Sequence, residues 1–129
     1  MKIKIFPLVS SLHDKNIVNN STKDFLSKLE ILLNCTFIIE TDINNFYSDT
    51  DLSLLLIQTG GSENYFLKDI KHFKNPVLLL TYGFSNSLAA AIEILSYINQ
   101  NKLNGEILHG SIEYVSRRIK EILEEVKYE

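Results

Sequence analysis

The sequence predicts an α/β fold in which a five-stranded parallel sheet is covered by helices on both faces. Short apolar runs that suit buried strands alternate with longer segments whose apolar residues recur at helical spacing. The clearest unit covers residues 76–101, where Pro76 and the apolar run 77–80 precede Gly83 and a helical pattern. Because most of the chain repeats this β-turn-α plan, we expect parallel strands joined by right-handed crossovers.

The helix of this unit is predicted to pack one apolar stripe against the sheet and to end near Asn101. The stripe comprises Leu88, Ala91, Ile92, Leu95 and Ile98. We therefore expect Ile92 in the core, where its truncation to alanine would cost about 2–5 kcal/mol. The strands are expected to contribute Leu54, Leu56, Leu78 and Leu80 to the core.

The remaining elements are predicted from their turn and capping residues. Residues 21–24 resemble a capping box that opens a helix over 22–34, with Asn34 as its stop. The polar segment 41–51 is predicted to be a loop with a short helical turn at 45–47. Ser62 and Ser111 should cap two further helices, one over 62–73 and one from 111 towards the chain end. The predicted strands are 2–9, 36–40, 52–58, 76–81 and 106–109.

These elements predict a three-layer αβα domain that is flavodoxin- or Rossmann-like, with strand order 2-1-3-4-5. A length of 129 residues fits one domain spanning 1–129. A net charge of −3 and the absence of a basic stripe give no reason to expect nucleic acid as a partner. No apolar run approaches the roughly 20 residues of a membrane span. The single cysteine, Cys35, cannot form an internal disulfide and suits a reducing cytoplasm.

The carboxyl ends of the strands are the predicted ligand site, because open sheets of this class bind ligands there. Turn residues and hydroxyl side chains follow three of the strands, and free N–H groups at helix N-termini suit a phosphate, a carboxylate or sugar hydroxyls. The candidate substrate-binding residues are Gly60, Gly61, Ser62, Ser85, Asn86, Ser87, His109 and Ser111. The same residues would also serve as helix caps and tight turns, so both interpretations stay open.

His109 is the most informative single candidate, because it ends a strand where its ring could face the crevice. Contact with a polar substrate and a structural hydrogen bond are its two possible roles. Gly60-Gly61 lacks the length and the following lysine of a phosphate-binding P-loop. No histidines and carboxylates have metal-ligand spacing. We therefore predict neither a catalytic residue nor a metal ligand in this chain.

Three segments resemble the N-terminal domain of the L-fucose/L-arabinose isomerase-like sugar isomerases. They are LLLIQTGGSENYFLKDI, PVLLLTYGFSNSLAAAIEILSYINQ and GEILHGS, which lie within residues 52–111. In that group, a strand ending in TGG and an acidic residue precedes a Pro-initiated strand. A loop into an NSLAAAxE helix follows, and then a strand ending in HG. The part of the chain before residue 52 matches only by topology.

The resemblance implies a cytoplasmic homo-oligomer that acts on a sugar. Full-length relatives interconvert aldose and ketose with manganese or another divalent metal, and the ligands of that metal come from later domains. The chain is accordingly expected to be the substrate-pocket and assembly domain of a longer protein. By itself it should turn over neither L-fucose nor L-arabinose. The alternative is a stand-alone flavodoxin-like domain that binds a small ligand or has a regulatory role.

Overall fold

Five strands form one parallel sheet in the computed structural model, which describes residues 1–8, 20–57, 66, 70–81 and 87–127. They are β1 (Lys2–Leu8), β2 (Thr36–Ile39), β3 (Leu52–Ile57), β4 (Val77–Thr81) and β5 (Gly105–Leu108). Their order in the sheet is β2-β1-β3-β4-β5. Helices flank the sheet, so the predicted three-layer α/β fold and the predicted strand order are both confirmed.

Three long helices connect or follow these strands within the described residues. They are α1 (Asn20–Leu33), α2 (Ser87–Gln100) and α3 (Ile112–Lys127). Short 3-10 helices cover Ile43–Asn45 and Ile70–His72. The first of them begins two residues earlier than the helical turn predicted at 45–47. The helix predicted at 62–73 falls mostly outside the described residues.

The start of α1 differs from the prediction. The helix begins at Asn20, so residue 21 lies inside the first turn and the predicted capping box is wrong. Thr22, the third residue of the helix, is only 2% exposed.

The end of α1 agrees with the prediction. Asn34 adopts a left-handed conformation with φ 51°, which asparagine tolerates better than most residues. The N–H of Asn34 donates to the carbonyl of Ile31, and the N–H of Cys35 donates to that of Glu30. These two bonds form a Schellman motif, which satisfies carbonyls that the helix itself leaves free.

Lys102 closes α2 with the same motif but with a less suitable side chain. Its φ is 61°, and the N–H groups of Lys102 and Leu103 donate to the carbonyls of Asn99 and Ile98. We expect Lys102→Gly to raise the free energy of unfolding by about 0.5–1 kcal/mol, because glycine adopts this conformation without strain. Urea denaturation checks this result, and Lys102→Ala is the control that should bring no gain. A loss of stability in the glycine variant would contradict the assigned conformation.

Two apolar cores lie on opposite faces of the sheet. Because side chains alternate along a strand, Leu54, Leu56, Leu78 and Leu80 pack together with α1 and α3. All four are buried, as predicted. The intervening strand residues pack against α2 and a cluster of phenylalanines, namely Phe46, Phe66 and Phe73.

The predicted burial of Ile92 is wrong. The side of α2 that faces the sheet consists of Ser87, Ala90, Ala91, Ile94 and Ile98. Ile92 is 55% exposed and Leu88 is 37% exposed. The helix carries apolar residues around most of its circumference, so hydrophobic spacing fits more than one stripe. Leu95 is partly buried at the border between the two sides.

One face of β1 buries a lysine below the segment that carries the first 3-10 helix. Lys4 is 8% exposed, and its Nζ donates to the carbonyl of Asn45 at 2.5 Å. The carboxylate of Glu40 lies 3.5 Å from the same nitrogen. The ring of Phe46 packs edge-on to Phe6 nearby, with centroids 5.6 Å apart. The ammonium group of Lys4 therefore connects the segment to β1 through its hydrogen bond to Asn45.

A bidentate ion pair joins α3 to β5. Arg118 donates through Nε and Nη2 to the two carboxylate oxygens of Glu106, at 2.6 and 2.8 Å. A third bond reaches Glu125 at 3.1 Å. The hydrogen bonds to Glu106 and then to Glu125 raise the pKa of Arg118 above its ordinary value. The guanidinium therefore stays charged and holds the helix in register with the edge strand.

Cys35 lies half-buried against the core of α1 and α3. Burial raises the pKa of its thiol, and the nearby carboxylate of Glu30 raises it further. The reactive thiolate is disfavoured by both effects, so this cysteine has the character of a packing residue.

Candidate functional site

The carboxyl ends of the central strands are aligned at one edge of the sheet. Leu8 of β1 pairs with Ile57 of β3, and Ile57 pairs with Thr81 of β4. Leu80 pairs with Leu108 of β5, which brings the residues that follow them side by side. The chain therefore leaves β3, β4 and β5 at neighbouring points of the same edge, where the sequence predicts the site.

Thr81 and His109 form the polar contact at this edge. The hydroxyl oxygen of Thr81 lies 2.5 Å from Nδ1 of His109. Thr81 is 2% exposed, whereas His109 is exposed. The buried hydroxyl of Thr81 is thus hydrogen-bonded to one nitrogen of the exposed His109 ring. Within the described residues, Nε2 of this ring makes no hydrogen bond.

Sequence reasoning missed Thr81, although a signal was present. It is the single polar residue at the end of the apolar run of β4, VLLLT. Threonine is common in strands, so its identity alone did not distinguish a hydrogen-bonding role at the edge from ordinary β-propensity. Only the pairing of β4 with β5 shows that its hydroxyl meets a histidine.

The turn between His109 and α3 is tightly defined. Gly110 has φ +136°, a conformation that side chains other than glycine rarely adopt. A Cβ built at this position would lie 3.3 Å from Cδ1 of Tyr114. Ser111 then caps α3, because its Oγ accepts a hydrogen bond from the N–H of Tyr114 at 3.1 Å. The capping role predicted for Ser111 is confirmed.

An exposed aromatic ring stands beside this turn. Tyr114 is 38% exposed, and the guanidinium of Arg117 lies 5.8 Å from its ring centroid. Tyr114 was not predicted as a site residue, because the tyrosines are scattered along the chain. The ring borders the same turn as His109 and adds an apolar face and a phenol hydroxyl to the carboxyl edge.

The other predicted site residues divide into two groups. Ser87 is the first residue of α2 and is 2% exposed, so its side chain is packed into the base of the helix start. Gly60, Gly61, Ser62, Ser85 and Asn86 lie outside the described residues. The first three of these follow β3 and the other two precede α2. The described residues nearest to them in sequence, Ile57, Thr81 and Ser87, lie at the carboxyl edge.

The described residues do not supply a metal site. In the ranges given above, no group of three or more His, Cys, Asp or Glu side chains is arranged to hold an ion. At the carboxyl edge, His109 has one nitrogen engaged by Thr81 and no described carboxylate beside it. The manganese site that the resemblance implies for full-length relatives has no counterpart among these side chains.

A groove of about 310 Å³ lies at the opposite edge of the sheet. Met1 and Asp51, which precede β1 and β3, form part of its wall, and the ends of α1 and α3 form the rest. The lining is mainly apolar and includes Leu33, Leu123 and Val126. Its position at the amino ends of the strands separates it from the predicted site.

Comparison of the chain with protein-family models, curated proteins and solved structures finds no match. The class of this protein therefore follows from its structure alone. It is a flavodoxin-like α/β domain with polar side chains at the carboxyl edge of the sheet. No described helix has the length and apolar character needed to cross a membrane.

Proposed function

We propose that this chain is a sugar-binding and assembly domain of the L-fucose/L-arabinose isomerase-like kind, without isomerase activity of its own. The observation that supports it best is the convergence of three strand ends, each followed by a segment of the resemblance. TGGS follows β3, YGFSNS follows β4, and HGS follows β5. A ligand at this edge would lie beside the ends of all three strands.

The chemistry of the described edge suits a polyol. A sugar offers hydroxyl groups that both donate and accept hydrogen bonds, together with C–H faces that pack on aromatic rings. His109 offers a ring nitrogen, Ser111 is an exposed hydroxyl residue, and Tyr114 offers an aromatic surface. These groups lie within six consecutive residues, 109–114, which run from the end of β5 into the first turn of α3. They would therefore form one wall of a pocket, to which later domains or a neighbouring subunit add the rest.

The proposal excludes turnover because of what the reaction requires. Aldose–ketose isomerisation moves a proton between adjacent carbons and needs a base, an acid and a group that polarises the carbonyl. Four acidic residues of the helices, Glu93, Glu113, Glu121 and Glu124, are exposed. Catalysis and metal binding are thus assigned to other domains of a longer protein. Homo-oligomerisation and a cytoplasmic location are proposed on the resemblance alone.

Sugar affinity in two matched histidine variants tests this proposal. L-fucose and L-arabinose should bind the 129-residue chain weakly, with Kd on the order of 1 mM, because half of the pocket is supplied elsewhere. His109→Ala should weaken binding at least about threefold, as expected for the loss of one hydrogen bond. His72→Ala is the control, because His72 is exposed on the 3-10 helix that precedes β4. NMR or calorimetric titration measures both variants.

Ketose formation is the second measurement of the same proposal. With manganese, cobalt or magnesium added, the chain should form no more ketose than a metal-free control. Metal-dependent turnover that His109→Ala abolishes would overturn the non-catalytic role. Equal sugar affinities for the His109 and His72 variants would overturn the assignment of the pocket.

A further inference from the structure

We propose that Thr81 is a positioning residue that holds the neutral ring of His109 in the Nε2–H tautomer, so that His109 presents a hydrogen-bond donor at the carboxyl edge. Thr81 Oγ1 and His109 Nδ1 lie 2.5 Å apart. This contact can form in two ways. Either the threonine hydroxyl donates to a bare Nδ1, or a protonated Nδ1 donates to the hydroxyl oxygen.

Burial of Thr81 decides between the two arrangements. The residue is 2% exposed, so water does not solvate its hydroxyl proton. Among the described residues, His109 Nδ1 is the acceptor that this hydroxyl contacts. If Nδ1 carried the proton, the hydroxyl proton would have no partner among the described residues, and a buried donor without one costs about 1–3 kcal/mol. The hydroxyl therefore donates to Nδ1, and the ring proton resides on Nε2.

The tautomer has a chemical consequence for whatever binds at this edge. An Nε2–H group donates and cannot accept, so it selects an oxygen acceptor such as a sugar hydroxyl or a carbonyl oxygen. A metal ion requires an unprotonated ring nitrogen, and Nδ1 is already engaged by Thr81. His109 is thus suited to orient a polar ligand, and in this state it is neither a base nor a metal ligand through Nε2. The assignment of a sugar oxygen as the acceptor rests on the proposed function. The assignment of the tautomer is independent of it.

The tautomer is measured directly by NMR on the full chain with 15N-labelled histidine. Long-range proton–nitrogen correlations distinguish Nε2–H from Nδ1–H, and His109→Gln assigns the signals. We expect wild-type His109 to show a bare Nδ1 and a protonated Nε2 once the ring is neutral. Exposed His72 provides the internal reference for a ring without this partner. An Nδ1–H pattern, or tautomer averaging like that of His72, would overturn the proposal without any sugar present.

Two variants at position 81 separate the hydroxyl from the packing. Thr81→Ser keeps the donor and should keep the wild-type nitrogen pattern, whereas Thr81→Val keeps the shape and should show averaged tautomers. L-fucose affinity should fall about two- to tenfold in Thr81→Val and recover in Thr81→Ser, which corresponds to one lost hydrogen bond. A Thr81→Val pattern identical to wild type would overturn the positioning role. If circular dichroism shows that Thr81→Val does not fold, the tautomer measured in the wild-type chain still tests the proposal. Failure of L-fucose to bind, with the tautomer intact, would instead count against the proposed sugar pocket.

Discussion

Ile94→Ala should lower the free energy of unfolding by about 2–5 kcal/mol, the range for an isoleucine truncated in a packed core. Ile94 is fully buried on the side of α2 that faces the sheet, among Ala90, Ala91 and Ile98. Removing its outer carbons leaves a cavity that the rigid strands below cannot fill. Urea denaturation followed by circular dichroism measures the change.

Ile92→Ala is the matched control, because it is the same substitution two residues away on the same helix. Ile92 is 55% exposed, so we expect a change of less than about 1 kcal/mol. The higher helix propensity of alanine partly offsets the lost contacts. Equal and large losses in both variants would show that the outer side of α2 is buried, as the hydrophobic spacing alone predicts. A larger loss at Ile92 than at Ile94 would reverse the assigned orientation of the helix.

Lys4→Met should lower the free energy of unfolding by about 1.5–3 kcal/mol, the range for a hydrogen bond to a charged group. Methionine retains most of the aliphatic stem and removes the ammonium group. The carbonyl of Asn45 and the carboxylate of Glu40 then lose a partner that is about nine-tenths buried. The 3-10 helix above β1 should loosen, and its amides should exchange with solvent faster.

Lys2→Met provides the control for this prediction within the same strand. Lys2 pairs with Asp49 at 3.3 Å, but the two side chains are 53% and 86% exposed. Pairs of this kind contribute about 0–1 kcal/mol, so the variant should be nearly as stable as wild type. Both substitutions remove one positive charge, and their difference therefore isolates the effect of burial. Equal losses would contradict the buried position of Lys4.

The sheet was predictable because its strands are short, apolar and regularly separated by turn residues. Runs such as LLLI in β3 are apolar at every position, which is typical of strands covered on both faces. The order of the strands then follows from the fold class rather than from any local residue. Lys4 shows the limit of this approach, since the alternation of Lys and Ile in β1 is typical of a strand with one wet face. The segment that covers Lys4 is distant in sequence, and no local pattern indicates it.

The orientation of α2 could not be predicted for a related reason. Its sequence, SLAAAIEILSYINQ, contains one charged residue, so several apolar stripes fit it nearly equally well. In contrast, the charges of α3 mark its outer side, and Val115, Ile119 and Ile122 are buried as their spacing predicts. Val126 continues the same spacing but lies at the end of the helix and is 40% exposed.

The candidate site was predictable in position but not in its contacts. Parallel strands place their carboxyl ends at one edge, so His109 and Ser111 could be selected from strand and helix boundaries alone. The bond between Thr81 and His109 depends on the register of β4 against β5, which the sequence does not reveal. Tyr114 was not predicted either, although it lies so close to Gly110 that a Cβ at that glycine would come within 3.3 Å of its Cδ1.

Chemical-shift mapping of L-fucose on the full chain tests the proposed sugar-binding edge most directly. If the proposal is right, saturating L-fucose shifts the backbone amides of Thr81, His109 and Ser111 and the ring signals of His109. Amides around the opposite groove, such as those of Leu33, Leu123 and Val126, should stay unchanged. Shifts confined to that groove, or no shifts at the carboxyl edge at any attainable sugar concentration, would contradict the proposed site.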